Sequence, residues 1–544
     1  MNLKYFLDRK YELCAILIFF IIFAQLLYLI DYQGGILDEQ FYPGVGKYFV
    51  TNSDFSPFAF RYHPALSYYI NSVFLYFDNN PTWKNTPHSL AYIIENGYDW
   101  NYFLFLTRLP IAFVSLLLGF YIYKWAKEIY GKRAALFALF LYGFEPSILA
   151  HGSFATTDIV AAAFIFISMY YFWEFFKYPN WKSCLISGVT LALALLSKNT
   201  ALILIPLVFA LLVYKYKFRI FSKVGVKFGL IFFVSIFIII WTAYGFQVSS
   251  VMSQVHSPEK ALDFINSKYS GVTKDIVLGL ANLPLPATTY ITSIGYNIWH
   301  SSSGQGNYFL GEIGTHSKWY YFPVAFLIKT PIPLLIVLFI AVAFLLFNKK
   351  RKVDEKFLIL PAIVYLLFLM FMLSLYIGIR HLLPIYPFLF VIMGGIIYRA
   401  KFLKRRRIFN IIILALCIWY IAESLTVFPH DLSYFNEFVG TENAWKLFAD
   451  TDVDWGQDVK ELGKYMSKNN IKTINFVEML PNVYTRFYIQ NYTFPSCTPK
   501  NGLYAIGVTH LQLFIHKDCI SWLKSYTPID KIGYSIFIYN ITNA

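Results

Sequence analysis

Residues 13–44 read LCAILIFFIIFAQLLYLIDYQGGILDEQFYPG, and the first eighteen of them carry no charge. A run of that length can cross the roughly 30 Å hydrocarbon core of a bilayer as a helix. Leu13–Ile30 is therefore expected to be a membrane span. No small-residue cleavage site follows it, which argues against a removed signal peptide. Just beyond its end stand two adjacent carboxylates, Asp38 and Glu39, among glycines and aromatics.

The rest of the chain repeats the pattern. Of 544 residues, 57% are hydrophobic and only 14% charged, where a soluble protein carries about a quarter. Lys and Arg gather at Lys4/Arg9/Lys10, Lys124/Lys127/Lys132/Arg133, Lys177/Lys182, Lys215 to Lys227, Lys349 to Lys356 and Arg399 to Arg407, and the short loops between are nearly free of them. That alternation follows the positive-inside rule. The net charge of +15 is then topological, and no nucleic-acid partner is expected.

With the basic clusters as cytoplasmic markers, about eleven spans are expected. They lie near 12–30, 102–123, 134–150, 156–176, 184–197, 200–214, 224–245, 322–347, 357–376, 381–398 and 408–427. The break at Ser197–Thr200 reads either as a loop or as a kink. This is an α-helical polytopic protein of the plasma (cytoplasmic or inner) membrane, with its N-terminus inside and its C-terminus outside. Residues 1–427 form the membrane domain, with outer loops 31–101 and 246–321, the second rich in Gly, Ser, Asn and Pro. Residues 428–544 are long enough for a small domain. There KTINFVEM, GLYAIGVTHLQ and YSIFIYNI read as strands and Asp458–Asn469 as a helix, giving a small extracytoplasmic α/β domain. Cys14, Cys184 and Cys417 read as packing residues. Cys497 and Cys519 are placed for a disulfide if the tail is outside, though spacing alone leaves that open.

Ionisable residues recur at the outer face: Asp38/Glu39, Arg61/His63, His151/Asp158, Lys198, Glu312, Lys329 and Arg380/His381. Ionisable groups at membrane depth mark a site by default, while interfacial snorkelling is the plainer alternative for each. Asp38 and Glu39 suit a general base with a helper, or two metal ligands, and Asp38 equally suits an N-cap. Arg380 suits bidentate phosphate recognition and His381 one further hydrogen bond. Lys198 and Lys329 are further candidates for a phosphate. No histidine or cysteine spacing suggests a metal, so a divalent metal is left open. No nucleotide-binding motif occurs. DTDVDWGQDVKEL, 450–462, reads as a solvated acidic loop that caps the following helix.

Taken in order, LDEQFY, RYHPALSYY, LTRLPIAF, HGSFATTD, LLSKNTALILIP, FLGEIGTHSKWYYFPVAFLIKTPIPLL, IRHLLPIYPFLFV and DTDVDWGQDVKEL resemble polyprenyl-phosphate-dependent glycosyltransferases of the GT-C superfamily. The branch resembled contains protein O-mannosyltransferases and lipid A aminoarabinose transferases. The resemblance implies a GT-C fold and a catalytic acid in the first outer loop, which falls on Asp38, acting as base in inverting transfer. It implies a donor sugar on a polyprenyl phosphate and an acceptor that is a protein, lipid or glycan. Arg380, His381, Lys198 and, ranked lower, Lys329 would bind the donor phosphate, while Arg61, His63, Asp158 and Glu312 would contact substrate. The chain lacks the lectin-like insert of eukaryotic protein mannosyltransferases, and the aminoarabinose enzymes' metal site has no match in it. An oligosaccharide transferase or glycan ligase is the runner-up. A secondary transporter would instead put its charges at the midplane within paired repeats, and a membrane scaffold would rely on its tail alone.

Overall fold

The computed structural model describes all residues except 1–2, 53–61, 78–98, 218–221, 256–257, 305, 316–317, 348–352, 374–376, 480–481, 514–516 and 543–544. Among the described residues, seven helices are long and apolar enough to cross a membrane: Arg9–Tyr32, Trp100–Tyr130, Asp158–Lys177, Asn199–Tyr216, Lys223–Ala243, Ile379–Phe402 and Arg406–Val427. Two bent pairs, counted as one span each, raise the number to nine. The apolar helices Trp181–Ser197 and Lys356–Met372 are shorter. Every segment expected to span the membrane thus falls on an apolar helix or a bent pair of them, and the chain is a multi-pass membrane protein.

The sequence reading needs correction at the bends. The segment 134–150 is two helices, Lys132–Gly143 and Pro146–Gly152, at 68°. The Glu145 side chain caps the second by accepting from the Ile148 N–H, with Pro146 in its first turn, where a missing N–H costs nothing. The segment 322–347 is Tyr321–Lys329 and Ile332–Phe347, at 114°. Thr330 is extended before Pro331, as the residue before a proline prefers to be. The break after Ser197 is genuine: Lys198 is extended and a 3-10 turn, Asn199–Ile203, follows. The stretch 246–321 is more ordered than its composition suggests. It holds the helices Val251–Gln254, Pro258–Lys268, Gly271–Asn282 and Thr288–Ser303 and short strand pairs.

The chain divides into two compact units. The first comprises residues 1–40, 97–163 and 304–544, so the tail belongs with the first helix and the last spans. The second comprises 41–96 and 164–303. Within the tail, a five-stranded sheet is built from β1 (Ile474–Val477), β2 (Tyr492–Thr493), β3 (Gly502–Gly507), β4 (Asp530–Ile532) and β5 (Ile536–Ile541). Their order is β2-β1-β3-β5-β4, with β1 parallel to β2 and β3, and β5 antiparallel to β3 and β4. The helix Val459–Lys468 completes the small α/β region. The strand expected over GLYAIGVTHLQ ends at Gly507, and Val508–Gln512 is helical. Asp454, 55 residues away in sequence, accepts the Thr509 N–H there at 2.9 Å. Cys497 and Cys519 form a disulfide.

Candidate functional site

Asp38 and Glu39 lie in a 3-10 turn, Leu37–Gln40, directly after the first membrane helix. Consecutive residues in such a tight turn point in different directions, and the two carboxylates go to different arginines. Glu39 is wholly buried against Arg108, which is also wholly buried. Nε and Nη2 of Arg108 donate to the two Glu39 oxygens at 2.7 and 2.8 Å. The backbone N–H groups of Ala155 and Ile36 donate to the same oxygens at 2.9 and 3.0 Å. Arg108 also donates to the carbonyls of Ile30, Gln33 and Gly34. All five guanidinium hydrogens are therefore committed, and the end of the first helix is tied to the helix Trp100–Tyr130. Gly35 lets the chain pass against Trp100: a Cβ there would lie 2.5 Å from the indole.

Asp38 meets Arg380 instead, which donates through Nη1 to Oδ2 at 2.7 Å. The pair is 19% and 12% exposed, respectively. Arg380 Nε donates to the Ile377 carbonyl, and its guanidinium lies 4.6 Å from the centre of the Trp455 ring, within cation–π range. Asp158 Oδ2 stands 4.0 Å from Arg380 Nη1 and the same distance from His151 Nδ1. His151 and Phe154 also face the Trp455 ring. Ile36, Ala150, Phe154, Leu432 and Trp455 form an apolar core beneath this constellation.

The acidic stretch 450–462 is not the solvated loop its composition suggests. Asp450, Asp452, Asp454, Trp455 and Asp458 are all buried. Asp452 accepts from the Ile379 N–H at 2.8 Å and the Tyr321 hydroxyl at 3.1 Å, and lies 3.5 Å from Lys329 Nζ. Burial with these partners offsets the cost of desolvating a carboxylate. Asp452 thereby fixes the turn that carries Arg380. The same turn requires Gly378: its φ is +79°, and a Cβ would lie 2.4 Å from Thr451 Oγ1. Burial pushes the Asp450 carboxyl up to about 6, against the pull of the Arg380 guanidinium.

The sequence-derived candidates fall into three groups. Asp38, Glu39, Asp158, Lys329, Arg380 and His381 all lie in the first unit. Lys329 is buried and donates to the carbonyls of Leu432 and Asp452, which makes it a fastener of the tail. His381 is buried, with Phe322 edge-on to its ring. Glu312 also belongs to the first unit but sits on the exposed strand of a short pair, bound to Lys318, apart from the cluster. In the second unit, His63 Nε2 is 3.0 Å from the Tyr42 hydroxyl, and Lys198 is buried between two helical segments. Arg61 lies outside the described residues. Among the described residues, no group of three or more His, Cys, Asp or Glu is arranged to hold a metal ion.

The sequence reading passed over Arg108, Asp450, Asp452 and Trp455. Arg108 carried a signal: it is a lone charge amid FLFLTRLPIAF, and such a charge inside a span seeks a buried partner. The alternation of acids in DTDVDW with an aromatic was the corresponding signal in the tail.

The match to a family model points the same way as the motifs. Residues 99–241, 143 of the 544, match the family model of dolichyl-phosphate-mannose-protein mannosyltransferases. No curated protein matches the chain. Among solved structures, ArnT from Cupriavidus metallidurans bound to undecaprenyl phosphate is similar at 10% identity and a TM-score of 0.46, over 96% of this chain and 97% of that one. The Archaeoglobus fulgidus oligosaccharyltransferase tethered with an acceptor peptide is similar at 12% identity and a TM-score of 0.46, over 88% of this chain and 64% of that one. The same organism's AglB, in complex with an inhibitory peptide and a dolichol-phosphate, gives 12% identity and a TM-score of 0.44, over 97% and 74%. This chain is thus a multi-pass membrane protein similar, over residues 99–241, to the dolichyl-phosphate-mannose-protein mannosyltransferases, in agreement with the GT-C branch its motifs resemble.

Proposed function

We propose that the protein is a membrane glycosyltransferase that moves a sugar from a polyprenyl-phosphate donor to a protein, lipid or glycan acceptor on the extracytoplasmic face, with inversion and with Asp38 as base. The observation that carries this reading is the Asp38–Arg380 pair, a partly exposed carboxylate and guanidinium 2.7 Å apart at the end of the first membrane helix. Displacement at an anomeric carbon develops positive charge on the sugar and negative charge on the departing oxygen. A carboxylate beside a guanidinium serves both ends. Asp38 takes the proton of the acceptor hydroxyl while its oxygen bonds to the anomeric carbon. The bond from that carbon to the phosphate oxygen breaks, and the polyprenyl phosphate leaves as an anion toward Arg380.

Glu39 holds the Asp38 turn in place, and the Ile377 carbonyl and the Trp455 ring set the position of Arg380. The similarity of residues 99–241 to the mannosyltransferase family supports the lipid-linked donor. The test is sugar release from a radiolabelled polyprenyl-phosphate hexose by purified protein, with membrane extract as acceptor, with and without a chelator. Native protein should release the sugar and Asp38→Asn should not. Failure of native protein with hexose, pentose and amino-sugar donors would refute the reading and leave a transporter to be tested. Loss of release on chelation would add a metal to the site.

A further inference from the structure

Asp38 is held by the same guanidinium that the donor phosphate would need. Arg380 turns Nη1 to Asp38 at 2.7 Å and Nε to the Ile377 carbonyl, and its guanidinium lies over the Trp455 ring. Two further carboxylates crowd it: Asp158 at 4.0 Å, and buried Asp450, whose charge Arg380 stabilises. A phosphate approaching this arginine meets a ring of acids with one cation already engaged. It can bind well only by taking over a hydrogen bond that a carboxylate now makes. Asp38 is the exchangeable partner, because the pair lies at a partly exposed edge, whereas Glu39 and Arg108 are sealed in.

We infer that Asp38 and the donor phosphate compete for Arg380, so that donor arrival both anchors the lipid and releases the carboxylate that acts as base. The inference rests on the function proposed above. A carboxylate lone pair directed at a guanidinium hydrogen is not available to the proton of an acceptor. The donor's phosphodiester carries one negative charge and two non-bridging oxygens, as a carboxylate does, so it can take the place of one on a guanidinium, and the departing monoester carries a third oxygen and more charge. After transfer, the departing polyprenyl phosphate occupies Arg380 until it diffuses away, and the return of Asp38 helps to expel it. The base is masked whenever no donor is bound, which protects the site from idle proton transfer.

The experiment measures binding of farnesyl monophosphate to purified full-length protein in detergent, with farnesol as the neutral control. If the two anions compete, Asp38→Asn and Asp38→Ala bind farnesyl phosphate more tightly than native protein, by about 5- to 10-fold for one released charge pair. Farnesol binding is unchanged. Asp158→Asn removes an equal charge 4.0 Å from the same nitrogen, beyond hydrogen-bond reach, and reports the through-space effect alone, a smaller gain than that of the Asp38 variants. Arg380→Gln loses the phosphate-dependent binding in either background. Two results overturn the inference. If native protein binds the phosphate through Arg380 but the Asp38 variants bind no more tightly than Asp158→Asn, the competition is absent and the proposed function stands. If native protein and every variant treat farnesyl phosphate like farnesol, Arg380 is no phosphate site, and both the competition and the donor reading fall.

Discussion

Two neighbouring acids, Asp38 and Glu39, each meet an arginine, yet the two pairs are built for opposite purposes. Glu39 and Arg108 are wholly buried, and all five guanidinium hydrogens have protein acceptors. Asp38 and Arg380 meet at a partly exposed edge through one nitrogen. A saturated, dry ion pair holds chain segments in one arrangement, because removing either partner strands a buried charge. A partly wet pair can exchange partners at small cost. The difference is set by the 3-10 turn, which sends consecutive side chains to different surroundings. The chemistry of the residues alone would not have separated a sealed pair from a partly exposed one.

The largest effect that could break this comparison concerns turnover. Asp38→Asn should lower sugar transfer by roughly 10²- to 10⁴-fold, the usual worth of a general base, with little change in the thermal unfolding midpoint. Activity in that variant near the native level would remove Asp38 from the chemistry. Arg108→Ala should show the opposite profile, a loss of about 3–5 kcal/mol of stability from the uncompensated Glu39. Thermal or denaturant unfolding in detergent reads it, and an unchanged midpoint would mean the pair is not the anchor described.

A subtler substitution tests how the open pair is aimed. Gly378→Ala forces an alanine at φ +79°, with its Cβ 2.4 Å from Thr451 Oγ1. A cost of about 1–3 kcal/mol is expected from the backbone alone. The turn bearing Arg380 should shift, so donor KM should rise more than stability falls. Native donor affinity in this variant would show that Arg380 needs no such support.

The effect that is smallest per pH unit is a pH dependence. Burial pushes Asp431 up to about 7 and Asp450 up to about 6. A carboxyl whose folded value is raised binds its proton more tightly folded than unfolded. Ionisation above the folded value therefore costs stability, and protonation restores it. The unfolding midpoint should rise as the pH falls from about 8 through 6 toward the ordinary carboxylate range, by on the order of 1 kcal/mol per acid per pH unit. Asp431→Asn and Asp450→Asn should each flatten the slope, and a midpoint that falls steadily on mild acidification would contradict the burial described.

The membrane helices were legible because bilayer thickness writes itself into the length of an uncharged run. The bends at Glu145–Pro146 and Thr330–Pro331 were less so, because apolar residues continue on both sides and only a lone charge and a proline mark the change of direction. The strands of the tail were legible from alternation, except where Asp454 captures the Thr509 N–H and stops one of them. The site was half legible. Asp38 and Arg380 stood out as charges at span ends, but they are 342 residues apart, and nothing local couples them. Arg108 was hidden because a single charge in an apolar helix does not name its partner. The stretch 450–458 was misread because composition favours solvent for a run of aspartates. Its burial depends on Lys329, Tyr321 and the Ile379 N–H, which are distant in sequence.

The most direct test of the division between the two acids compares Asp38→Asn and Glu39→Gln side by side, each measured for sugar release from a polyprenyl-phosphate donor and for thermal unfolding. Asp38→Asn should keep the native midpoint and lose transfer, while Glu39→Gln should lose stability first. Retained transfer in Asp38→Asn, or a drop in its stability matching that of Glu39→Gln, would contradict that division.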